Sequence, residues 1–449
     1  MKQKFDLGRE YDTPPMAAPT EDPKKASQEQ TPPDAILPGA CLGVIGGGQL
    51  GRMFAQSAKK MGYRVIVLTP EKESPASQVA DETIVADYDD FEALEQLSKK
   101  AQAVTIEFEN IPSQALEYLE ARLPVRPGAS VLHTTQHRLR EKRFLKANGF
   151  ATAPFEEIST LVELEEALDR LGTPAVLKTA GFGYDGKGQV KITSKDQAKE
   201  AFLALEAHAQ STGEAFAILE GWVDFVAEFS VIGVRGLLLD AQNNGQQDSQ
   251  FVAYGPVENR HKNHILDITL SPCQSLLSDA QKNAAIKTAG RIAEALGVVG
   301  VLTVELFLTQ EGHWLVNELA PRPHNSGHYT IDACNVSQFD QQVLALSAQP
   351  LITPEQQPAA IMLNLLGDWW FPPQAQLAQD QAGKAKEITP HWEALEKLPN
   401  TYLHLYGKKE ARPGRKMGHV TFLDTTLEEA LAAREAILNV TPTKAGMTE

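Results

Sequence analysis

The sequence predicts an α/β fold in which an amino-terminal parallel sheet is followed by a hairpin-rich central region and a small carboxy-terminal mixed domain. Two observations carry this prediction. Apolar runs and helical patterns alternate between residues 41 and 106, which is typical of a doubly wound, Rossmann-like sheet. After residue 175 the pattern changes to that of hairpin strands, and Pro350, Pro354 and Pro358 mark a linker before the last segment.

Each element is predicted from its own periodicity. Residues 41–45 form an apolar run that meets three glycines, and residues 50–58 continue at helical spacing. The first sheet gains further strands at 65–68, 83–85 and 104–106, around a helix at 91–101. The central region is predicted to contain helices at 138–147, 161–171 and 278–296, and strands at 175–178, 189–192, 216–220, 226–234, 301–308 and 314–318.

Composition restricts the class of protein. The 449 residues include 42 Lys and Arg against 58 Asp and Glu, and this net charge of −16 argues against a nonspecific nucleic-acid binder. The sequence has no apolar run as long as a membrane span and no signal-peptide core, and its three cysteines form no CxxC pair. We therefore expect a cytoplasmic protein that binds neither membrane nor nucleic acid, with residues 1–38 as a mobile leader.

A glycine motif follows the first strand. Gly46, Gly48 and Gly51 have the spacing of a turn that lets a backbone approach a phosphate at a helix amino end. A nicotinamide cofactor would also need an acidic residue after the second strand, where the chain instead has Thr69 and Pro70 before Glu71. Three interpretations stay open: a nicotinamide site, a purely structural turn, and a contact with a phosphate or another small molecule.

A second glycine-rich segment, residues 181–188, nearly matches a P-loop, but Gly188 replaces the required Ser or Thr. The segment lies between two predicted strands, so we expect a hairpin tip that acts as a flexible flap. Lys178 lies in the strand before it, and burying this charge requires a partner. A nucleotide phosphate and an ordinary salt bridge are the two alternatives.

Two glutamates give the strongest local signal. If a symmetric hairpin turns at Glu311 and Gly312, Glu305 and Glu318 face each other on neighbouring strands. Opposed carboxylates repel, so this arrangement favours a hard cation such as magnesium between them, although a solvated acidic pair is the alternative. The donors that follow in sequence suit anionic oxygens: Asn317, Arg322, His324 and Asn325.

Basic residues cluster near the end of the acidic chain, around Pro413 and Gly414. This segment is either a solvated turn or a clamp for a phosphate. The cluster consists of Lys408, Lys409, Arg412, Arg415 and Lys416.

Seven motifs together resemble the ATP-grasp superfamily: GGGQLGRM, EFENIP, HRLREK, LKTAGFGYDGKGQ, LEGWVDFVAEFS, NELAPRPHNSGH and YGKKEARPGRKMGH. The resemblance covers about residues 40–435. It is closest to the branch that uses ATP and bicarbonate to carboxylate 5-aminoimidazole ribonucleotide through carboxyphosphate in purine biosynthesis. It implies an ATP-grasp fold with a two-lobed ATP-binding region. The implied divisions are 39–137, 138–350 with a lid at about 174–234, 355–435, and a tail at 436–449.

The resemblance also implies roles for individual residues. Contacts with ATP are expected from Arg138, Lys178, Gly183, Tyr184, Asp185, Gly186, Lys187, Gly188, Gln189, Glu220, Gly221, Trp222, Val223, Glu228, His264, Asn317 and Glu318. Magnesium, with manganese as the alternative ion, is expected on Glu305 and Glu318. The ribonucleotide is expected on Gly48, Gln49, Leu50, Glu107, Glu109, Lys408, Arg412 and Arg415, with Lys409 as the alternative to Lys408. Bicarbonate and carboxyphosphate are expected on Arg322, His324 and Asn325.

The expected substrates are therefore ATP, bicarbonate and 5-aminoimidazole ribonucleotide, and the expected assembly is a homodimer. Another ATP-grasp carboxylate-amine ligase, or a formate-using transformylase, would share the ATP site and differ at the acceptor side. A nicotinamide-dependent oxidoreductase would explain the first glycine motif but not the flap or the opposed glutamates. A noncatalytic nucleotide-binding module would not need the paired carboxylates.

Overall fold

The computed structural model describes residues 35–181, 188–206, 215–238, 248–273, 277–371, 387–395 and 398–438. The predicted flap residues Gly183, Tyr184, Asp185, Gly186 and Lys187 lie outside the described residues, as does most of the predicted leader and tail. Within the described part, no helix combines the length and the apolar character needed to cross a membrane.

The amino-terminal segment folds as the predicted parallel sheet. Its elements are β1 Cys41–Ile45, α1 Gln49–Lys60, β2 Arg64–Thr69, β3 Glu82–Val85, α2 Phe91–Lys100, β4 Ala103–Ile106, α3 Ser113–Glu120 and α4 Ala129–Thr135. The strand order is β3-β2-β1-β4, and all neighbours are parallel. Alternate residues of β1 enter different cores: Leu42 packs with Phe54 of α1, and Ile45 packs with Leu94 of α2. Helices therefore cover both faces, as a doubly wound sheet requires.

A four-stranded antiparallel sheet forms the next lobe, in the order β5-β8-β6-β7. Its core is filled by Leu164 and Leu168 from one helix and Phe202 from another. The elements of this lobe are α5 Arg138–Ala147, β5 Phe155–Ile158, α6 Leu161–Leu171, β6 Ala175–Thr179, β7 Gln189–Ile192, α7 Ala198–Glu206 and β8 Ala217–Gly221.

A nine-stranded sheet forms the second lobe and continues into the carboxy-terminal segment. Its elements are β9 Phe225–Leu238, β10 Asp248–Ala253, β11 Val257–Lys262, β12 Ile265–Ser271, α8 Asp279–Ala295, β13 Gly300–Thr309, β14 Trp314–Ala320, α9 Thr330–Ala333, α10 Gln338–Leu346, β15 Ala360–Leu366, β16 Thr401–Leu405, β17 Lys416–Leu423 and α11 Leu427–Leu438. The order is β14-β13-β9-β11-β12-β15-β17-β16, with β10 beside β9. Strand β15 pairs directly with β12, so the small carboxy-terminal part extends the central sheet.

Candidate active site

One cleft of about 970 Å³ joins the parallel sheet, the four-stranded lobe and the nine-stranded sheet. Most of the residues predicted to act in catalysis or binding line it. They are Gln49, Leu50, Glu107, Glu109, Arg138, Lys178, Gln189, Trp222, Glu228, His264, Glu305, Asn317, Glu318, Arg322, His324 and Asn325. The described residues that were predicted but do not line it are Gly48, Gly188, Glu220, Gly221, Val223, Lys408, Arg412 and Arg415.

Glu305 and Glu318 face each other on β13 and β14, as the hairpin symmetry predicted. The symmetric pairing holds only from the two glutamates away from the turn. The register shifts after Glu305, so that Leu306 pairs with Val316 and Asn317 becomes an extra residue on β14. On the turn side each residue of β13 therefore pairs one position earlier on β14 than strict symmetry requires, and the pairing of the two glutamates stays intact.

Two neighbours bind Glu305. His324 Nε2 lies 3.1 Å from one carboxylate oxygen, and the Asn317 amide donates to the other at 3.3 Å. Burial acts to raise the pKa of Glu305, but the hydrogen bonds from His324 and Asn317 oppose it, and the pKa is held below its usual value. Glu305 therefore presents an ionised carboxylate to the cleft.

Glu318 lies in a different environment, although it is directly opposite. The Glu318 side chain is accessible from the cleft, but desolvation by the surrounding cleft walls is the main cause that raises its pKa, and the charge of Glu305 adds to it while Arg138 opposes it. Behind it, Glu141 accepts a hydrogen bond from the Leu319 amide at 3.0 Å, and burial together with the charge of Glu318 raises the pKa of Glu141 well above its usual range. Three carboxyl groups thus share one wall of the cleft, and a cation there would relieve their repulsion. This arrangement fits a hard divalent ion on Glu305 and Glu318.

Lys178 is held by a buried carboxylate. Its Nζ lies 2.5 Å from Glu220 Oε2, and Lys142 Nζ lies 3.2 Å from Glu220 Oε1. Lys142 also donates to the Asn317 carbonyl at 2.9 Å, which ties the four-stranded lobe to the hairpin of the two glutamates. Lys178 still lines the cleft, so the salt bridge and the phosphate contact, the two sequence-based alternatives, are compatible.

The glycine turn holds an internal anion. The Glu107 carboxylate accepts hydrogen bonds from the Gly48 and Gly51 amides at the amino end of α1, the latter at 2.7 Å. Gly46 has a φ of +116°, and a Cβ there would collide with the Glu107 side chain. The turn is therefore built for a carboxylate of the chain itself, which occupies the place that a nicotinamide pyrophosphate would need.

The cationic side chains of the basic turn lie in two environments, one partly buried and one exposed. Lys408 is partly buried and interacts electrostatically with Arg415 and with Glu107. Burial, followed by the charge of Arg415, lowers the pKa of Lys408 to about 8. Lys409 and Arg412 are exposed and paired with Glu73 and Glu410. Of the two lysines, Lys408 is therefore the partly buried one near Glu107, and Lys409 is the one at the surface.

Also lining the cleft, Glu228 is paired with His261 at 2.8 Å. Burial opposes protonation of His261, but the hydrogen bond and charge of Glu228 raise its pKa. Lys191 lies 3.5 Å from the ring centre of the exposed Trp222, and this cation–π contact involves one of the expected ATP-binding residues.

Several cleft residues were not predicted. They are Phe108, Asn110, Thr135, Gln136, Glu141, Val176, Lys191, Phe225, Leu266, Phe307 and Leu319. Lys416, a member of the predicted basic cluster, also lines the cleft. The spacing of Arg138, Glu141 and Lys142, at i, i+3 and i+4 of one helix, could have indicated a shared charged face. The apolar members carry no such signal, because they come from strands whose register only the fold defines.

A further group of ligand-type residues, Asp332, His404 and His419, lies outside the cleft. The two imidazole rings are stacked, with 4.4 Å between their centres and 12° between their planes. Nearly parallel rings cannot direct their ring nitrogens at one ion, so this group does not form a metal site as it stands.

Comparison with known proteins agrees with this geometry. Residues 40–136 match the ribonucleotide synthetase preATP-grasp domain, residues 143–339 the ATP-grasp domain, and residues 360–433 the phosphoribosylaminoimidazole carboxylase C-terminal domain. The N5-carboxyaminoimidazole ribonucleotide synthase of Bacillus subtilis is 42% identical over 394 residues, which cover 88% of this chain and 94% of the relative. This chain belongs to the N5-carboxyaminoimidazole ribonucleotide synthase family.

Solved structures of N5-carboxyaminoimidazole ribonucleotide synthetases share the fold. The Staphylococcus aureus enzyme complexed with ADP has a TM-score of 0.78 and 36% identity, covering 90% of this chain and 98% of that one. The Aspergillus clavatus enzyme in complex with ADP and 5-aminoimidazole ribonucleotide has a TM-score of 0.75 and 30% identity, covering 89% and 97%. The predicted ATP-grasp fold is thereby confirmed.

The buried charges of Glu220, Lys142 and Lys178 predict a pH dependence of stability. Burial alone would raise the pKa of Glu220, but the two lysines lower it from 4.5 to about 2. A depressed carboxyl pKa stabilises the fold above its unfolded value, and this stabilisation is lost as the pH falls from about 4.5 towards 2. Glu220→Gln should lower stability at neutral pH by about 3 kcal/mol, because the buried Lys142 and the partly buried Lys178 lose their counter-charge.

The measurement is the thermal unfolding midpoint at neutral pH and in steps below about pH 5. The difference in unfolding midpoint between the wild type and Glu220→Gln should narrow as the pH falls. Glu157→Gln is the matched control, since Glu157 pairs with Arg143 on the surface of the same lobe. A difference in unfolding midpoint that stays constant with pH would contradict the lowered pKa of Glu220.

Proposed function

We propose that this protein is an ATP-dependent ligase that carboxylates 5-aminoimidazole ribonucleotide with bicarbonate and releases ADP and phosphate, in purine biosynthesis. The observation that carries the proposal is the single cleft. It joins the opposed glutamates Glu305 and Glu318 to the parallel-sheet residues Gln49, Glu107 and Glu109. ATP and the ribonucleotide would therefore meet in one enclosure, as two substrates of one ligation must.

The ATP end of the cleft has a suitable set of groups. Lys178 and Arg138 supply positive charge for phosphates, and Glu228 lies where a carboxylate could accept hydrogen bonds from ribose hydroxyls. Lys178 would engage a phosphate while Glu220 keeps its ammonium group in the cleft wall. In this proposal the adenine lies at the hinge Glu220, Gly221, Trp222 and Val223.

Glu305 and Glu318 would hold magnesium, or manganese, because their carboxylates face each other and repel. When bound, the ion would neutralise charge on the phosphoryl group that is transferred. Asn317 and His324 keep the Glu305 carboxylate in place through their hydrogen bonds.

The acceptor end combines anion-binding and orienting groups. Arg322 Nε lies 2.6 Å from Glu109 Oε1, so the guanidinium is fixed at the cleft wall near His324 and Asn325. Arg322 and Asn325 are proposed to bind bicarbonate, which attacks the γ-phosphate to give carboxyphosphate. His324 would line the same site without holding the anion directly, because its two ring nitrogens contact Ser326 and Glu305. ADP leaves in the attack on the γ-phosphate. The exocyclic amine of the ribonucleotide then attacks the carboxyl carbon of carboxyphosphate, or carbon dioxide released from it, so that phosphate leaves and the amine nitrogen loses a proton. Exclusion of water during these steps would protect the labile intermediate.

The predicted homodimer, cytoplasmic location and domain boundaries remain predictions from the sequence. Lys408 and Arg415 of the basic turn would bind the 5′-phosphate of the ribonucleotide, because their charges interact with each other and Lys408 also interacts with Glu107 of the cleft.

The test of the function is an ADP-release assay in which each substrate is omitted in turn. ADP release should require both bicarbonate and 5-aminoimidazole ribonucleotide, and formate should not replace bicarbonate. Support by formate would indicate a transformylase instead. Release that ignores the ribonucleotide would show that the acceptor is a different molecule.

The metal assignment predicts the effect of Glu305→Gln. Losing one of two opposed carboxylates should reduce ADP release on the order of a hundredfold or more, with an unchanged unfolding midpoint. The matched control is Glu311→Gln, an exposed glutamate at the turn of the same hairpin. Near wild-type turnover of Glu305→Gln at saturating magnesium would refute the assignment.

The phosphate clamp predicts a selective change in Michaelis constant. Arg415→Ala should raise the KM for the ribonucleotide about tenfold or more, equivalent to about 1.4 kcal/mol of binding, and leave the KM for ATP nearly unchanged. Lys409→Ala and Arg412→Ala should have smaller effects, because both side chains are exposed and paired with acids. If Arg415→Ala weakens ATP instead, the clamp belongs to the other substrate, and if neither constant changes the turn is only surface.

A further inference from the structure

A buried row of polar side chains runs behind His324. The Ser326 hydroxyl lies 2.8 Å from His324 Nδ1, and the Ser230 hydroxyl lies 2.6 Å from that of Ser326. The Asn259 amide donates to Ser230 Oγ at 2.9 Å, and Thr269 donates to Asn259 Oδ1 at 3.2 Å. Ser326, Ser230, Asn259 and Thr269 are all buried, so their polar groups must find hydrogen-bond partners inside the protein.

The register of the large sheet explains how the row forms. Ser230 on β9 pairs with Glu305 on β13, and Asn259 on β11 pairs with Thr269 on β12. Directly paired residues project from the same face of a sheet. The row therefore extends across the sheet from the glutamates of the site, and Ser326 joins it from the segment that follows β14.

One backbone amide determines which group donates and which accepts in each hydrogen bond of the row. The backbone N–H of Ser326 lies 3.3 Å from His324 Nδ1, and a backbone amide can only donate. Nδ1 is therefore an acceptor, and the Ser326 hydroxyl also donates to it. Ser230 must then donate to Ser326, which leaves Ser230 Oγ to accept from Asn259. Every donor points towards the histidine.

The consequence lies at the other ring nitrogen. A neutral imidazole whose Nδ1 accepts carries its proton on Nε2. His324 Nε2 is 3.1 Å from Glu305 Oε1, so this tautomer donates to the carboxylate. The opposite tautomer would place a lone pair against that oxygen, and the two would repel.

We propose that Ser326, Ser230 and Asn259 are positioning residues that hold His324 as an Nε2–H donor to Glu305 and so orient that carboxylate for its cation. The proposal rests on the proposed function for the cation, and the tautomer itself is independent of it. Outer hydrogen bonds of this kind orient a ligating group and typically change metal affinity 10–100-fold when removed.

The first test reads the tautomer directly from ¹⁵N chemical shifts and one-bond and two-bond couplings of ¹⁵N-histidine-labelled full-length protein without added metal. The His324 signals are assigned by their absence in His324→Gln. The wild type should show protonated Nε2 and unprotonated Nδ1, and Ser326→Ala should increase the Nδ1–H form. Protonated Nδ1 in the wild type would overturn the proposal whether or not the protein has the proposed activity.

The second test measures the magnesium concentration for half-maximal ADP release. Ser326→Ala and Ser230→Ala should each raise it about tenfold or more. Ser347→Ala is the matched control, because its hydroxyl is equally buried and donates to the Val343 carbonyl away from the row. An unchanged magnesium requirement in both variants would overturn the link to Glu305, while loss of ADP release in wild type would count against the proposed function alone.

Discussion

The opposition of Glu305 and Glu318 is the constraint on which the rest of the site depends. Both residues are fixed by the backbone ladder of β13 and β14, so their charges cannot move apart without breaking the hairpin. The surrounding side chains respond to this repulsion unequally. His324 and Asn317 stabilise the ionised form of Glu305, whereas Glu318 is left with a raised pKa. This asymmetry leaves one carboxylate tightly held and the other dependent on a cation.

The irregularity of β14 connects this pair to the cationic side of the cleft. Asn317 is the extra residue of the hairpin, and its side-chain amide donates to Glu305 while its carbonyl accepts from Lys142. Lys142 is in turn paired with Glu220, which also holds Lys178. One bulged residue therefore links the glutamates on the large sheet to the lysines on the four-stranded lobe. A regular hairpin would point this residue to the other face and lose the connection.

How far the sequence predicts the structure depends on the range of each interaction. The pairing of Glu305 with Glu318 follows from a short hairpin, and the helices at 138–147 and 161–171 follow from local periodicity, so these were confirmed. The bulge at Asn317 has no local sequence signal. The pairing of β12 with β15 joins residues about 90 apart, and nothing in either strand alone specifies it. The same holds for the row of Ser230, Asn259 and Ser326, which only the register of the large sheet brings together.

The glycine turn shows that a motif can identify an anion-binding helix terminus without identifying the anion that binds there. The amino end of α1 attracts an anion because its amides are unpaired and the helix dipole is positive there. The structure satisfies this preference with Glu107, whose carboxylate accepts from Gly48 and Gly51. Glu107 lines the cleft, and Lys408 interacts with it electrostatically, so a helix terminus that could have held a cofactor phosphate instead holds a carboxyl group of the chain in a fixed place. A helix terminus specifies the sign of the charge that it binds, and the tertiary fold decides whether that charge belongs to a ligand or to the chain.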